Sequence, residues 1–345
     1  MKHLKVLALV AVAYSLILTS CSKHDTNPNP TVPKVKDVYI SGHINHDTYQ
    51  AATYWKNGVP VDLSDKVHAT FANSIVVVGN DIYVAGEQSL GGNLTAAKYW
   101  KNGVVTTLST YKPSCSANSI AVAGSNVYIA GNEYDDRGTQ ILTVPKYWKN
   151  GIAVNLHDGA STDYAFTNSI AVAGSDLYIG GNDDIGGLYW KNGVVTRLVD
   201  GSNRTFVSAI VVVGSDVYVA GYVAAVNPTG IGVAAYWKNG VVTRIGNGTI
   251  TSYATSIAVV GSDVYVAGNQ STGGRYVAAY WKNGVITSFD DGQNQSFPNS
   301  IAVVGSDVFV GGYGPQGVVY WKNSVATTVT NGTNAVSYSL FVTTK

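Results

Sequence analysis

A pentapeptide, Tyr-Trp-Lys-Asn-Gly, recurs along this chain and limits the available folds more than any other feature. Six copies are complete and a seventh ends in serine; they begin at Tyr54, Tyr99, Tyr147, Tyr189, Tyr236, Tyr280 and Tyr320. All seven tryptophans of the protein lie in these copies, and successive copies are 40 to 48 residues apart. A period in this range is typical of a β-propeller or a solenoid.

One repeat unit, residues 256–289, favours the propeller. Four short runs rich in valine, isoleucine and alanine alternate with two tight turns, Gly261-Ser262-Asp263 and Lys282-Asn283-Gly284. Asn-Gly between two strand patterns is a strong hairpin signal, because a type I′ turn needs positive φ at both central residues. No window of the repeats has helical periodicity. Each unit is therefore predicted to be a four-stranded antiparallel meander, which is one propeller blade.

The two ends of the repeat region are predicted to close a ring. The first unit begins at Asp37 without its first strand, and residues 339–342, near the end of the sequence, fit that missing strand. The fold class is therefore all-β: a seven-bladed β-propeller over residues 37–345. Its 28 strands form four-stranded antiparallel blades, and the C-terminal strand completes the first blade. Closure removes the exposed ends that a linear array would have to cap.

Two side-chain patterns agree with this arrangement. Alanine recurs on the first strand of the units, for example at Ala121 and Ala258, which suits the crowded centre of a propeller. Adjacent tyrosine and tryptophan on the third strand must point to opposite faces of a blade. Each blade is thus expected to pack one aromatic ring against each neighbour.

The repeats lack the Gly-His and Trp-Asp signature of WD repeats and the paired glycines of kelch repeats. Over residues 37–345 the aromatic-Trp-x-x-Gly hairpin and the valine-rich strands resemble the "HAF" repeats of secreted bacterial proteins. That resemblance implies a fold and no specific activity.

The N-terminus has the pattern of a bacterial export signal. Lys2 and Lys5 precede an apolar run over residues 6–18, which is too short to span a membrane comfortably. The run ends in Leu-Thr-Ser-Cys21, which resembles the lipobox of bacterial lipoproteins. The resemblance implies a signal peptide over residues 1–20, cleavage before Cys21 and acylation of that residue. An ordinary signal peptide with a chance cysteine is the alternative.

Residues 21–36 are predicted to be a tether, because their alternating prolines favour extended geometry. The expected location is the bacterial cell envelope, lipid-anchored in the outer membrane, with the membrane as one partner. Charged residues make up 12% of the chain and the net charge is +1, so nucleic acid is not an expected partner. A monomer is expected.

One face of the propeller is predicted to vary more than the other. The Gly-Ser-Asp and Lys-Asn-Gly turns are nearly constant and lie on the same face of a meander, called here the uniform face. The connections on the opposite, variable face differ between units, as in residues 132–144, 182–187 and 222–232. Recognition residues usually lie on such loops, although lack of constraint also explains variation. The tether enters on the uniform face, so the variable face is expected to point away from the membrane.

Five aromatic residues are the predicted ligand-binding residues. Each lies four positions before the first isoleucine of a unit, near the mouth of the central channel on the variable face: Phe71, Phe166, Phe206, Tyr253 and Phe297. A partial ring of aromatic side chains can stack on sugar rings or hold a peptide. The alternative is that each side chain fills the gap between adjacent blades.

Signals for catalysis or metal binding are sparse, and neither a cofactor nor a metal is predicted. His43, His46 and His68 are the candidates for a metal site, and two carboxylate pairs, Asp135-Asp136 and Asp183-Asp184, are the candidates for acid–base chemistry on a glycoside. Solubility of the loops is the alternative explanation of these carboxylates. The pentapeptide lysines, Lys56 to Lys322, are expected to be solvated, with lipid phosphates as an alternative partner. Cys115, the only other cysteine, is expected in a loop.

These observations predict a surface-anchored, non-catalytic binding module that recognises a glycan or a protein through its variable face. Near-identical blades argue against an enzyme, because an active site breaks the symmetry of a repeat. A propeller enzyme of the glycoside hydrolase or lyase type and a structural component of an envelope complex are the alternatives.

Overall fold

The computed structural model describes residues 34–92, 94–109, 114–136, 141–156, 164–201, 203–224, 231–289, 293–330 and 334–345. These residues contain 28 strands in seven four-stranded antiparallel sheets. The predicted seven-bladed propeller is therefore confirmed. None of the described residues belongs to a helix that could span a membrane.

The strands follow the repeats in chain order. Blade I contains β1 (Val35–Asn45), β2 (Gln50–Lys56) and β3 (Val59–Asp62). Blade II contains β4 (Thr70–Val78), β5 (Asp81–Gly91), β6 (Leu94–Lys101) and β7 (Val104–Ser109). Blade III contains β8 (Cys115–Ala123), β9 (Asn126–Asp136), β10 (Ile141–Lys149) and β11 (Ile152–Asn155). Blade IV contains β12 (Ala165–Ala173), β13 (Asp176–Asp183), β14 (Gly187–Lys191) and β15 (Val194–Arg197).

The remaining blades complete the ring. Blade V contains β16 (Arg204–Val213), β17 (Asp216–Ala224), β18 (Gly232–Lys238) and β19 (Val241–Arg244). Blade VI contains β20 (Ser252–Val260), β21 (Asp263–Thr272), β22 (Arg275–Lys282) and β23 (Val285–Ser288). Blade VII contains β24 (Phe297–Val304), β25 (Asp307–Gly314), β26 (Gly317–Lys322) and β27 (Val325–Thr328). The last strand, β28 (Ala335–Thr344), pairs with β1 and completes blade I as predicted.

The first strand of each blade is the innermost one. These strands contact their counterparts in both neighbouring blades, and β28 lies between β24 and β4. Ala121 and Ala258, on β8 and β20, are almost fully buried there. Small side chains allow the innermost strands to approach closely, as the sequence predicts.

Adjacent aromatic residues of the third strands join the blades. The tyrosine of one blade shares a hydrophobic cluster with the tryptophan of the next, in seven pairs: Tyr54–Trp100, Tyr99–Trp148, Tyr147–Trp190, Tyr189–Trp237, Tyr236–Trp281, Tyr280–Trp321 and Tyr320–Trp55. The predicted packing of one ring against each neighbour is confirmed. Each boundary thus contains a buried tryptophan and a buried or partly buried tyrosine, and such rings dominate core energetics.

A β-bulge interrupts each innermost strand near the variable face. In four blades the bulged residue is an asparagine whose side chain donates to a backbone carbonyl of the next blade: Asn73, Asn118, Asn168 and Asn299. The serine after Asn73 accepts the backbone N–H of Ile120 in blade III, and Ser119 accepts that of Ile170 in blade IV. Hydrogen bonds therefore link neighbouring blades around the channel.

The two constant turns of each blade contact each other on the uniform face. In blade VI the Oδ1 atom of Asn283 accepts the backbone N–H of Val264 at 2.9 Å, and its Nδ2 donates to Asp263 at 2.8 Å. Lys282 lies 2.8 Å from the other carboxylate oxygen of Asp263. Six blades repeat this arrangement, and in blade III Asn126 replaces the aspartate. The pentapeptide lysines of those six blades are therefore ion-paired.

Candidate functional site

The five predicted aromatic residues lie on the innermost strands, at the ends that face the variable side. Each stands directly opposite one residue of the second strand: Phe71 opposite Glu87, Phe166 opposite Asn182, Phe206 opposite Tyr222, Tyr253 opposite Asn269 and Phe297 opposite Tyr313. Opposite residues of an antiparallel pair share one side of the sheet, so each pair can present a joint surface. The exposed fraction of Phe166 is 40%, and the other four side chains are half-buried.

Three of these residues belong to a continuous series of rings across blades V, VI and VII. Consecutive ring centroids are 4.6 Å apart for Phe206 and Tyr222, 4.7 Å for Tyr222 and Tyr253, 6.0 Å for Tyr253 and Tyr276, 6.4 Å for Tyr276 and Phe297, and 5.3 Å for Phe297 and Tyr313. We call these six residues the aromatic arc. All six are half-buried, so each ring packs on its neighbours and keeps part of its surface open.

Burial raises the pKa of Tyr222 and of Tyr253, which keeps both hydroxyls protonated at neutral pH. At one end of the arc the guanidinium group of Arg204 lies 5.0 Å from the ring centroid of Phe206. The arc therefore offers apolar ring surface, neutral hydroxyl groups and one cation.

Phe71 belongs to a second group, the Glu87 cluster, formed by His43, Phe71, Glu87 and Tyr338 of blades I and II. The ring of His43 is 5.0 Å from that of Phe71, edge to face, and 5.6 Å from that of Tyr338 in a stacked arrangement. Tyr338 also interacts electrostatically with Tyr313, the last residue of the arc. Together, arc and cluster extend over five neighbouring blades.

The Glu87 cluster contains three ionisable groups with shifted pKa values. Burial raises the pKa of the half-buried Glu87 to about 6 and lowers that of His43. Burial and the nearby Glu87 charge raise the pKa of Tyr338 to about 12. His43 is 6% exposed, and its Nδ1 atom has no hydrogen-bond partner among the described residues. Such shifts are a property of functional sites as well as of buried structural groups.

The structure separates Phe166 from the other predicted aromatic residues. It lies in blade IV opposite Asn182. The side-chain oxygen of Asn182 accepts the backbone N–H of Val207 in blade V at 2.7 Å and so links the two blades. Sequence reasoning missed Tyr222, Tyr276, Tyr313, Tyr338 and Glu87, and it considered His43 only as a metal ligand. Four of these residues directly follow a glycine on the second strand of their blade, namely His43, Glu87, Tyr222 and Tyr313, and that shared position was the available signal.

The three histidines have separate surroundings. His46 stacks on Tyr49 with ring centroids 4.7 Å apart, and Nδ1 of His68 lies 2.7 Å from Asp65. Throughout the described ranges, no group of three or more His, Cys, Asp or Glu side chains could hold a metal ion.

The predicted carboxylate pairs and cysteines are placed as follows. Asp183 is buried, pairs with Arg197 at 2.7 Å and accepts the N–H groups of Ile185 and Gly186, so it fixes its own turn. Cys21 and the side chains of Asp135 and Asp136 lie outside the described residues.

The expectation that Cys115 lies in a loop is wrong. Cys115 is the first residue of β8 and is fully buried, and its backbone N–H donates to the hydroxyl of Thr95 at 2.7 Å.

A separate cleft of about 390 Å³ lies between the outer parts of blades VI and VII. Its walls include Phe289, Gln295, Pro315 and Trp321. Phe289 and Trp321 stack with centroids 4.9 Å apart, and Trp321 is 6% exposed. Its volume lies within the range of small-molecule pockets.

Comparisons with known proteins add little to this description. No protein-family model matches the chain, and no curated protein sequence matches it. Among solved structures, hydrazine synthase of Kuenenia stuttgartiensis is similar over 91% of this chain and 47% of its own, with 11% identity and a TM-score of 0.49. Acylaminoacyl peptidase of Pyrococcus horikoshii is similar over 84% and 50%, with 11% identity and a TM-score of 0.42. The chain spans about half the length of these proteins, and neither similarity carries an argument about activity.

Proposed function

We propose that the protein is a non-catalytic binding module of the bacterial envelope that recognises a glycan through the variable face. The observation that carries this proposal is the aromatic arc. Six half-buried rings, each 4.6 to 6.4 Å from the next, form one surface across three blades. A globular core would bury these rings fully, so their partial exposure favours a ligand that covers them.

A glycan fits the chemistry of the arc better than a folded protein does. The apolar faces of sugar rings pack on aromatic rings, and neutral tyrosine hydroxyls and Arg204 can bond to sugar hydroxyls. A row of rings also suits a chain of similar sugar units. A protein ligand is the competing outcome.

The test is a glycan array probed with the purified protein and with Tyr253→Ala, Tyr276→Ala and Phe297→Ala. Phe166→Ala is the matched control, because it removes an exposed aromatic side chain of the same face outside the arc. We expect the three arc variants to lose a signal that the control retains. No binding of the wild-type protein to any glycan contradicts this ligand class and directs the search to protein partners.

We further propose that the propeller is anchored in the outer membrane through an acylated Cys21. The support is the lipobox-like sequence and the position of β1, which begins on the uniform face beside the Asp37–Asn57 contact. An anchor there leaves the variable face directed away from the lipid. Cys21→Ser is expected to move the protein from the membrane fraction to the soluble fraction and to abolish labelling by a palmitate analogue.

A propeller enzyme is the second candidate, since the raised pKa of Glu87, about 6, suits a general acid. Most glycoside hydrolases need a pair of carboxylates. Among the described residues, Glu87 interacts with the ionisable group of the tyrosine Tyr338, which is not a carboxylic acid. Mass spectrometry of a bound oligosaccharide after incubation separates the candidates: intact ligand supports binding alone, whereas cleavage that disappears in Glu87→Gln supports the enzyme.

A further inference from the structure

The position of Glu87 is used elsewhere to hold blades together. In blades III and IV the equivalent residues are Asn132 and Asn182, and they accept the backbone N–H of Thr167 at 2.9 Å and of Val207 at 2.7 Å in the next blade. Glu87 makes no such bond, and its carboxylate has neither a hydrogen-bond nor an ion-pair partner in the described part of the chain. At the same position, blade II carries an acid that does not make the bond to the next blade seen in blades III and IV.

The surroundings of this carboxylate are aromatic. Glu87 stands directly opposite Phe71 on the neighbouring strand, and the rings of His43 and Tyr338 continue from Phe71. The nearest lysine along β6, Lys98, donates to Gln88 instead. Gln88 follows Glu87 in the strand, so its side chain lies on the other side of the sheet. Lys98 therefore does not neutralise the negative charge of Glu87.

An ionised carboxylate in such surroundings favours a cationic ligand. Burial among rings removes water from the carboxylate, and a positive charge from the ligand would restore the lost interaction. Aromatic faces attract the same cation through their quadrupoles. His43 does not compete, because burial lowers its pKa and keeps the imidazole neutral near pH 7.

We propose that the Glu87 cluster binds a positively charged amino group, so that the preferred glycan carries a free amine. This inference rests on the proposed glycan recognition, because Tyr338 of the cluster lies close enough to Tyr313 of the arc to interact with it electrostatically. An amino sugar would place its ring on aromatic surface and its ammonium group beside Glu87. A metal ion is a poorer occupant, since one carboxylate offers too few ligands.

The experiment is titration calorimetry of the full-length protein at pH 6.5, where Glu87 and the amino groups of a glucosamine oligomer are both substantially charged. Two oligosaccharides of equal length are compared, one of glucosamine and one of N-acetylglucosamine. Acetylation removes the charge and leaves the sugar ring. We expect the glucosamine oligomer to bind about tenfold or more tightly, as one charge-assisted contact implies. Glu87→Gln should abolish that preference. Asp184→Asn, which removes an exposed carboxylate of the same face, should preserve it.

The outcomes separate this inference from the proposed function. Equal affinity for both oligomers, unchanged by Glu87→Gln, overturns the inference and leaves glycan binding intact. If neither oligomer binds, choline and its neutral isostere 3,3-dimethylbutanol are titrated. If choline binds, its isostere does not, and Glu87→Gln abolishes the binding, a cation site exists without a glycan. If choline does not bind, the amine inference is overturned, and the glycan array alone decides the proposed function. Thermal unfolding of each variant verifies that the fold is retained.

Discussion

At the scale of single residues, the asparagine of each Asn-Gly turn combines two tasks. It adopts a positive φ, 51° for Asn283, which most residues with a side chain avoid. Its side chain also bonds to the neighbouring Gly-Ser-Asp turn through Val264 and Asp263. The repeated motif is therefore explained by backbone conformation and by side-chain bonding together.

Two substitutions at Asn283 separate these tasks. Asn283→Ala removes both bonds and strains the turn, and we expect it to lower the free energy of unfolding by about 1–2 kcal/mol. Asn283→Gly removes the bonds but adopts the positive φ freely, so its loss should be smaller. Urea denaturation measures both values. Equal losses would show that conformation contributes nothing.

The aspartates of the constant turns are expected to make the folded protein less stable in acid. Hydrogen bonds from Lys282 and Asn283 lower the pKa of Asp263 below its usual value, and the other paired turns behave alike. An aspartate with a lowered folded pKa stabilises the protein above its unfolded pKa of about 3.9, and this contribution disappears as the pH falls through the folded value. The melting temperature should therefore decrease below about pH 4.

Blade III supplies the control for this pH effect. Its turn pairs Asn126 with Asn150 at 2.8 Å, without a carboxylate. Asp263→Asn copies that pair, so the variant should fold and lose less stability between pH 7 and pH 2 than the wild type. An unchanged pH dependence in this variant contradicts the assignment.

At the scale of strands and blades, the third strand contributes the largest aromatic rings to the clusters that join neighbouring blades. Its tryptophan is buried toward the preceding blade, and its tyrosine packs toward the following one. The indole nitrogens of Trp55, Trp148 and Trp237 have no hydrogen-bond partner among the described residues. These rings therefore contribute mainly through apolar burial and shape.

This view predicts the effects of two substitutions at Trp237, which is fully buried. Trp237→Ala leaves a large cavity between blades IV and V and should cost about 3–5 kcal/mol. Trp237→Phe keeps an aromatic ring and loses no hydrogen bond, so its cost should be clearly smaller. Val241→Ala, at a position 71% exposed in the next strand, is the control and should have little effect. Chemical denaturation of the three variants provides the comparison.

At the scale of the whole molecule, the ring is closed by strands from opposite ends of the chain. β28 pairs with β1 through matched residues such as Tyr39 with Phe341 and Ile40 with Leu340. Leu340 is 1% exposed and lies in one cluster with residues of blade VII. β28 therefore contacts blades VII and II while it completes blade I.

Removal of β28 tests this role. A chain that ends at residue 334 exposes the inner edge of β1 and the side of blade VII, so we expect it to aggregate and to lose cooperative unfolding. A chain that begins at residue 34 keeps every described strand and should unfold like the full-length protein. Size-exclusion chromatography and calorimetry distinguish these behaviours. A monomeric, cooperative truncated chain would contradict the closure.

The fold was more accessible from sequence than the site was. Tyr-Trp-Lys-Asn-Gly marks the third strand, the turn and the fourth strand by local rules, so each blade could be predicted from one repeat. The arc combines Phe206, Tyr222 and Tyr276 from three different strand positions. Phe206 and Tyr222 face each other within blade V, but only packing between blades brings Tyr276 of blade VI into the same series. Glu87 and His43 share one repeat position, but their burial depends on neighbours that a single sequence does not specify.

The most direct test of the account is to locate the binding surface. The best oligosaccharide from the array is titrated against Tyr222→Ala, Tyr276→Ala and Phe297→Ala, and against Lys238→Ala on the uniform face. The account predicts that the affinity falls in every arc variant and is unchanged in Lys238→Ala. Wild-type affinity in the arc variants, or a loss confined to Lys238→Ala, would contradict recognition by the variable face.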